Sequence, residues 1–261
     1  MMKLRYGIAF AASCLLINAC SSIKDPADEF KNQSAEQIFH GGEQALAKGN
    51  YSTAARHYEG LDSLYPFSAY SEQAMLDSIY AYYQNGDYAS SEAAAARFIH
   101  TFPASAHVDY ALYMKAVSES VEDKSWPQRY NLVDTASRDA GSSKRAFSDF
   151  AVLTAQYPES AYSPDARLRM INLRNMFAQK ELELAGFYYE RHDYVAASNR
   201  AAGVLEHFEG TPAQEGALAI MVKSYRALDL PQEANKALQT LTLNFPHSQY
   251  LRSINKVYKL H

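Results

Sequence analysis

The chain has 261 residues, is 48% hydrophobic and 21% charged, and carries a formal net charge of −4. That balance is enough to bury a sizeable core, and it lacks the basic stripe a nucleic-acid partner would require. Its two cysteines, Cys14 and Cys20, both stand near the N-terminus, so no disulfide can form beyond residue 20 and the rest is held by its core alone. In chain order, the first element is "MMKLRYGIAFAASCLLINACSS". Lys3 and Arg5 precede an apolar run from Tyr6 to Ile17, shorter than the about 20 residues a spanning helix needs but suited to a signal-peptide core.

"INAC", Ile17 to Cys20, resembles the bacterial lipobox, with an aliphatic residue three before the Cys and a small residue directly before it. The resemblance implies cleavage after residue 19 and acylation of Cys20, a covalent lipid that is the only cofactor-like group expected. With Ser21 next, it also implies delivery to the outer membrane of a Gram-negative cell. Each buried acyl CH₂ contributes about 0.8 kcal/mol, so several chains anchor firmly. Loss of residues 1–19 removes Lys3 and Arg5 and takes the net charge from −4 to −6. Residues 20–33 read as a flexible tether, interrupted at Asp25-Pro26.

Beyond the tether an aromatic–Pro–x–Ser signature recurs: "YPFSAY" at Tyr65, "FPASAH" at Phe102, "YPESAY" at Tyr157, "FPHSQY" at Phe245, and a worn copy, "FEGTPA", at Phe208. Twelve residues before each Pro (or Glu209) stands a small residue: Ala54, Ser91, Ala146, Ala197 or Ala234. Four further on come Tyr58, Ala95, Phe150, Ala201 and Leu238, and turns such as "KGNY", "NGDY", "RHDY" and "LDLP" precede the small residues. The pattern resembles the tetratricopeptide repeat. A small residue lets the two helices of a hairpin approach, the residue four later fills the gap to the next hairpin, and Pro cannot continue the helix. Between these marks Met75, Ile79 and Tyr82 form a stripe at helical spacing, and Ser71 and Ser163-Pro164-Asp165 read as helix starts. Period-2 alternation is absent. The sequence therefore predicts an all-α fold, an α-solenoid of five tetratricopeptide-like helix pairs.

The signatures are 37, 55, 51 and 37 residues apart, against about 34 for a plain repeat. The second interval points to an insertion over Val121 to Lys144, a polar segment with the single Trp. The third points to a lengthened first helix in "SPDARLRMINLRNMFAQKELELAGFYYERHDY". The expected organisation is a signal peptide over 1–19, a tether over 20–33, N-terminal repeats over 34–120, an insertion over 121–144 and C-terminal repeats over 145–261.

Catalytic and metal signatures are missing from the sequence. The eight histidines show no metal spacing, no G-x-S-x-G, P-loop or dinucleotide fingerprint occurs, and acidic pairs such as "ELEL" suit a solvated helix face. The repeats occupy the whole chain after the tether, leaving no room for an enzymatic domain beside them. Non-enzymatic binding is the expectation, and first helices that line a concave solenoid face are where peptides bind. Asp77, Tyr80, Asp109, Tyr110 and Tyr113 are the groove candidates, since Tyr offers apolar area and a hydrogen bond together; packing of repeat on repeat is the competing role for each.

The strings "LDSLYPFSAYSEQAMLDSIYAYYQNGDY", "RFIHTFPASAHVDYALYMK", "RAFSDFAVLTAQYPESAYSPDA" and "ELAGFYYERHDYVAASNR" resemble the BamD family of outer-membrane barrel-assembly lipoproteins, over about Gln33 to Tyr250. The resemblance implies a non-enzymatic subunit at the periplasmic face of the outer membrane. Its expected partners are a BamA-like barrel subunit, further lipoproteins of the same machine and unfolded outer-membrane proteins. It also implies that Arg200, in "SNRAAG", makes an ion pair to a POTRA domain of the barrel subunit. From the residues alone, Arg200 follows Ala196 and Ala197 and should point away from the seam with its partner helix; a solvated helix Arg is the plainer alternative. Rival functions are an adaptor lipoprotein that scaffolds periplasmic hydrolases and a solenoid-bearing transglycosylase.

Overall fold

The computed structural model describes residues 26–122 and 141–258; Cys20, the expected signal peptide and most of the expected insertion lie outside them. The described residues form twelve helices and no strand. They are α1 (Pro26–Phe30), α2 (Ala35–Ala47), α3 (Tyr51–Leu64), α4 (Ser71–Gln84), α5 (Tyr88–Thr101), α6 (Val108–Glu122), α7 (Gly141–Gln156), α8 (Ser163–Glu190), α9 (Tyr194–His207), α10 (Ala213–Ala227), α11 (Pro231–Asn244) and α12 (Gln249–Tyr258). The sequence's five expected pairs are α2/α3, α4/α5, α6/α7, α8/α9 and α10/α11. The chain divides into two compact units between Ala94 and Ala95.

Four of the five pairs are closed by the same three-residue turn. Its middle residue is left-handed each time: Gly49 at φ 72°, Gly86 at 78°, His192 at 64° and Asp229 at 56°. The residue after it donates its amide five residues back, Asn50 to Ala45, Asp87 to Tyr82, Asp193 to Tyr188 and Leu230 to Tyr225, which captures a carbonyl that the helix end leaves open. Glycine serves this conformation without strain, whereas His192 and Asp229 adopt it against their side chains.

The repeated aromatic–Pro–x–Ser stretch is the other connector, between pairs. The aromatic amide closes the last helical turn, as Tyr65 does to Leu61, Phe102 to Phe98, Tyr157 to Leu153, Phe208 to Val204 and Phe245 to Leu241. The hydroxyl residue three later donates its amide to the aromatic carbonyl: Ser68, Ser105, Ser160, Thr211 and Ser248. In four copies the Ser Oγ then accepts the amide two residues on, from Tyr70, His107, Tyr162 and Tyr250. The Ser thus satisfies backbone that neither helix can. In "FEGTPA" Ala213 stands at that last position, and the Thr211 hydroxyl instead donates to the Phe208 carbonyl at 2.8 Å.

In the first unit Ser34 opens α2 with a reciprocal capping box to Gln37. Ile38, Phe39, Ala54, Tyr58 and Leu61 form the core with Phe30. Phe30 corrects the reading of 20–33 as a tether, because residues 26–30 are helical. Its ring is 2% exposed, packs 4.6 Å from the His57 ring, and rests where Gly60 leaves no room for a Cβ. A Glu29–Arg56 ion pair holds the same helix. Pro26 does not block this helix, because it stands at its first position, where its missing amide costs nothing.

In the second unit α6 packs on α7, α7 on α8, α8 on α9 and α10, α9 on α10, and α10 on α11 and α12. The lengthened first helix is present as the 28-residue α8. The expected insertion is shorter at both ends than 121–144: Val121 and Glu122 continue α6, and residues 141–144 open α7 with Ser143 buried. All five small positions are buried, Ala54, Ser91, Ala146 and Ala197 at 0% exposure and Ala234 at 1%.

Candidate functional site

A cavity of about 580 Å³ opens where α7, α8 and α9 meet in the second unit. On α8, Phe177, Lys180, Glu181 and Leu184 follow the i, i+3, i+4, i+7 spacing of one helix stripe; on α9, Asn199, Arg200, Gly203 and His207 do nearly the same. Lys144 enters from the first turn of α7, and Phe208, the signature aromatic that ends α9, closes the lining. Packing fixes this presentation. Asp193 caps α9 by accepting the Ala196 amide at 3.2 Å, and Ala197, Ala201 and Val204 are buried, which turns Arg200 and Gly203 toward the cavity. Phe177 is held edge-on by Phe147 at 6.4 Å.

The wall formed by Phe177, Leu184 and Phe208 is apolar, and the rim is charged. Lys144, Lys180 and Arg200 face a single carboxylate, Glu181, among the lining residues. Arg200 does not point away from the seam, as the sequence suggested; its Nη1 reaches back to α8 and donates to Glu181 Oε2 at 3.2 Å. The Arg200 side chain is 48% exposed, so this pair contributes little to stability; the bond to Glu181 uses Nη1 alone of a guanidinium that has five donors. Gly203 is the unusual member. A glycine inside a helix costs about 1 kcal/mol relative to Ala, yet a Cβ there would meet nothing within 4 Å.

The five groove candidates fall in the two units. In the first, Asp77 on α4 accepts from Gln73 at 2.8 Å and stands beside the Tyr58 hydroxyl; burial raises its pKa against the help of both neighbours. Tyr80 is 40% exposed and touches only the edge of Tyr51 among the rings. In the second unit, Asp109 accepts from Ser160 at 2.6 Å and from the Tyr110 amide at 2.8 Å, and Tyr110 lies against Tyr162. Tyr113 stacks on Tyr162 at 5.0 Å and donates to Asp165 at 2.7 Å. Burial would raise the Asp165 pKa, but the hydrogen bonds from Arg169 and Tyr113 lower it. Asp109, Tyr110 and Tyr113 thus come together with Ser160, Tyr162 and Asp165, and the Asp109 carboxylate and the Tyr113 hydroxyl are spent on holding α6 to the start of α8 and the turn before it. We expect Tyr113→Ala to lower the unfolding free energy by about 2–4 kcal/mol, from lost aromatic area and an unpaired half of the Asp165 network. Tyr80→Ala should cost under about 1 kcal/mol. Chemical denaturation of both variants checks the contrast.

Sequence reasoning did not find a charged cluster between α6 and α7. The Glu119 side chain is 0% exposed, with Lys115 Nζ at 3.1 Å and Arg145 Nε at 3.5 Å from Oε1. Lys115 also pairs with Asp149. Glu119 Oε2 is buried without a hydrogen-bond partner among the described residues. The i, i+4 spacing of Lys115 and Glu119 was visible in the sequence, but such pairs usually lie in solvent.

The described residues thus form an all-α array of tetratricopeptide-like pairs with a charged and aromatic pocket on one unit. The sequence profile of the YfiO outer membrane lipoprotein family matches residues 31–241. The chain is 33% identical to the outer membrane protein assembly factor BamD of Pasteurella multocida, over 94% of this chain and 92% of that protein. It is 35% identical to the factor of the same name from Vibrio cholerae, over 88% and 94%, and 32% identical to that of Neisseria meningitidis serogroup B, over 91% and 90%. The chain belongs to the BamD family of outer-membrane protein assembly factors. Among the described residues no helix is long and apolar enough to cross a membrane.

Proposed function

We propose that the chain is a non-enzymatic subunit of the outer-membrane β-barrel assembly machinery, held at the periplasmic face of the outer membrane by acyl chains on Cys20. Its second unit docks on the POTRA region of the BamA-like barrel subunit through Arg200. Other lipoproteins of the machine attach alongside, and unfolded outer-membrane proteins are received on the first unit at Asp77 and Tyr80, while on the second unit Asp109, Tyr110 and Tyr113 brace the helices that would receive them. The observation that carries the reading is the pocket around Arg200. A half-exposed Arg200 side chain, beside Lys144 and Lys180 and over an apolar wall, is suited to a protein partner that brings a carboxylate.

The test is co-purification from detergent-solubilised outer membranes. Arg200→Glu should recover at least tenfold less barrel subunit at unchanged melting temperature, because it puts a second carboxylate beside Glu181 where the partner's would bind. Arg200→Lys should fall between the two, since an ammonium cannot make the paired hydrogen bonds of the guanidinium. Recovery restored by charge reversal on the barrel subunit would fix the contact, and undiminished recovery with Arg200→Glu would refute it.

A further inference from the structure

We propose that Phe67, at the tip of the turn between α3 and α4, enters the headgroup region of the bilayer that holds the acyl chains on Cys20, and so gives the first unit a second membrane contact. This rests on the Cys20 anchoring proposed above and names a further surface that the anchored chain uses.

Phe67 is 99% exposed, and Pro66 and Ala69 beside it are exposed as well. The repeats supply a comparison within the molecule. Ala104, Glu159 and His247 hold the same position in the other three intact copies of the signature, and each is exposed. All four turns close with the same two backbone bonds, so the turn geometry asks nothing of this side chain. Among those copies the first alone places a large apolar ring there, where water is its least favourable surrounding. A ring kept in the open at a position that packing leaves free points to a contact outside the chain.

The anchor determines what lies within reach of that ring. The helix α1 runs alongside α3 toward the turn: Glu29 pairs with Arg56, Phe30 rests on Gly60, and the Tyr65 hydroxyl donates to the Gln33 carbonyl at 2.8 Å. From Arg56 to Tyr65 the chain rises about 14 Å. The stretch from Cys20 to Pro26, where α1 begins, reaches at most about 20 Å, so the acylated Cys20 and Phe67 can lie on one bilayer surface. The chemistry of the tip suits that surface. Leu64 to Ser71 contains no charged side chain, so its entry strips no ion of water. Part of the turn's backbone is already engaged, since Ser68 Oγ accepts the Tyr70 amide at 3.3 Å and Ser71 Oγ donates to the Tyr65 carbonyl at 3.0 Å. Phenylalanine is a residue that settles at the headgroup–acyl boundary, whereas the opposite end of the α2/α3 hairpin exposes Lys48, Gly49 and Asn50. One ring would not recruit a free chain, but acylation makes the second contact intramolecular, and a weak contact then suffices.

The experiment uses the acylated chain, purified from outer membranes and reconstituted into vesicles of phosphatidylethanolamine and phosphatidylglycerol. Intact mass first establishes the acyl chains on Cys20. No other thiol remains once residues 1–19 are removed, so Ala69→Cys and Lys48→Cys can each carry a single polarity-sensitive fluorophore while Phe67 stays native. Lipids spin-labelled near the headgroup should quench the Ala69→Cys probe at least threefold more than the Lys48→Cys probe. Adding Phe67→Glu should bring the first down to the level of the second. The melting temperature should not change, because a side chain this exposed makes no core contact. Equal quenching at the two positions, or quenching at Ala69→Cys that Phe67→Glu leaves intact, would overturn the inference while the anchor stands. Quenching at Ala69→Cys that appears only when the barrel subunit is reconstituted alongside would assign Phe67 to a protein partner and overturn it as well. Absence of acyl mass on Cys20 would sink the anchoring reading and the inference with it.

Discussion

Phe150→Ala should lower the unfolding free energy by about 3–5 kcal/mol, the range for deleting a large aromatic from a packed core. Phe150 has no exposed surface and sits on α7 one helical turn after Ala146, whose own burial lets α6 and α7 approach. Its ring lies 6.2 Å from that of Tyr113. Tyr113 cannot follow a shrinking neighbour freely, because its hydroxyl is tied to Asp165 at 2.7 Å and its ring to Tyr162. The void should therefore stay open, which puts the cost toward the upper end. A chain of this size loses about 2–4 °C of melting temperature per kcal/mol, so calorimetry should register a fall of roughly 6–20 °C. A loss below about 1 kcal/mol in urea denaturation would show that the ring is not a keystone of the α6/α7 seam.

Phe150 also illustrates what the sequence makes legible. It stands where the repeat pattern asks for a gap-filling residue, as Tyr58 does in the first repeat, and both are buried. Such positions can be read because every repeat solves the same packing problem with the same spacing, so copies corroborate one another. The turns behave likewise: "RHDY" and "LDLP" align with "KGNY" and "NGDY", and all four adopt one geometry although only two contain glycine. The length of α8 was legible for a different reason, since nothing in its run breaks a helix.

What could not be read was whatever depends on one non-repeated contact. The five residues of α1 are too few to signal a helix, and their order comes from Phe30 entering a core that is distant in sequence. The roles of Tyr110 and Tyr113 turn on Tyr162 and Asp165, about fifty residues away, and helical spacing alone leaves a groove tyrosine and a seam tyrosine indistinguishable. Arg200 was marked by resemblance, but its cavity needed three helices in place before Phe177, Leu184 and Gly203 could be seen to share it.

Glu119→Gln should abolish most of one component of the protein's pH dependence and stabilise it above neutrality. Burial pushes the Glu119 carboxyl from its ordinary 4.5 up to about 7; the Lys115 hydrogen bond opposes this, and the Asp149 charge adds to it. The folded state therefore holds this proton more tightly than the unfolded state does. Below about pH 4.5 the group is protonated in both and contributes nothing. Between 4.5 and about 7 folding takes up a proton, so stability falls as pH rises, and above 7 the full penalty is present. At about 1.4 kcal/mol per pH unit the displacement corresponds to roughly 3 kcal/mol. Glutamine keeps the shape and an acceptor for Lys115, and it brings no charge to the buried site, where Oε2 has no partner. Asp149 still pairs with Lys115, so the ammonium is not orphaned. His57, whose pKa burial lowers, titrates in the opposite sense, but it is common to both proteins and cancels in their difference. Urea denaturation from pH 5 to 8 should show the variant near wild type at pH 5 and more stable by about 1–3 kcal/mol at pH 8. A variant less stable than wild type at pH 8 would mean that ionised Glu119 gains more from Lys115 and Arg145 than its burial costs, and that the cluster is a stabilising buried network.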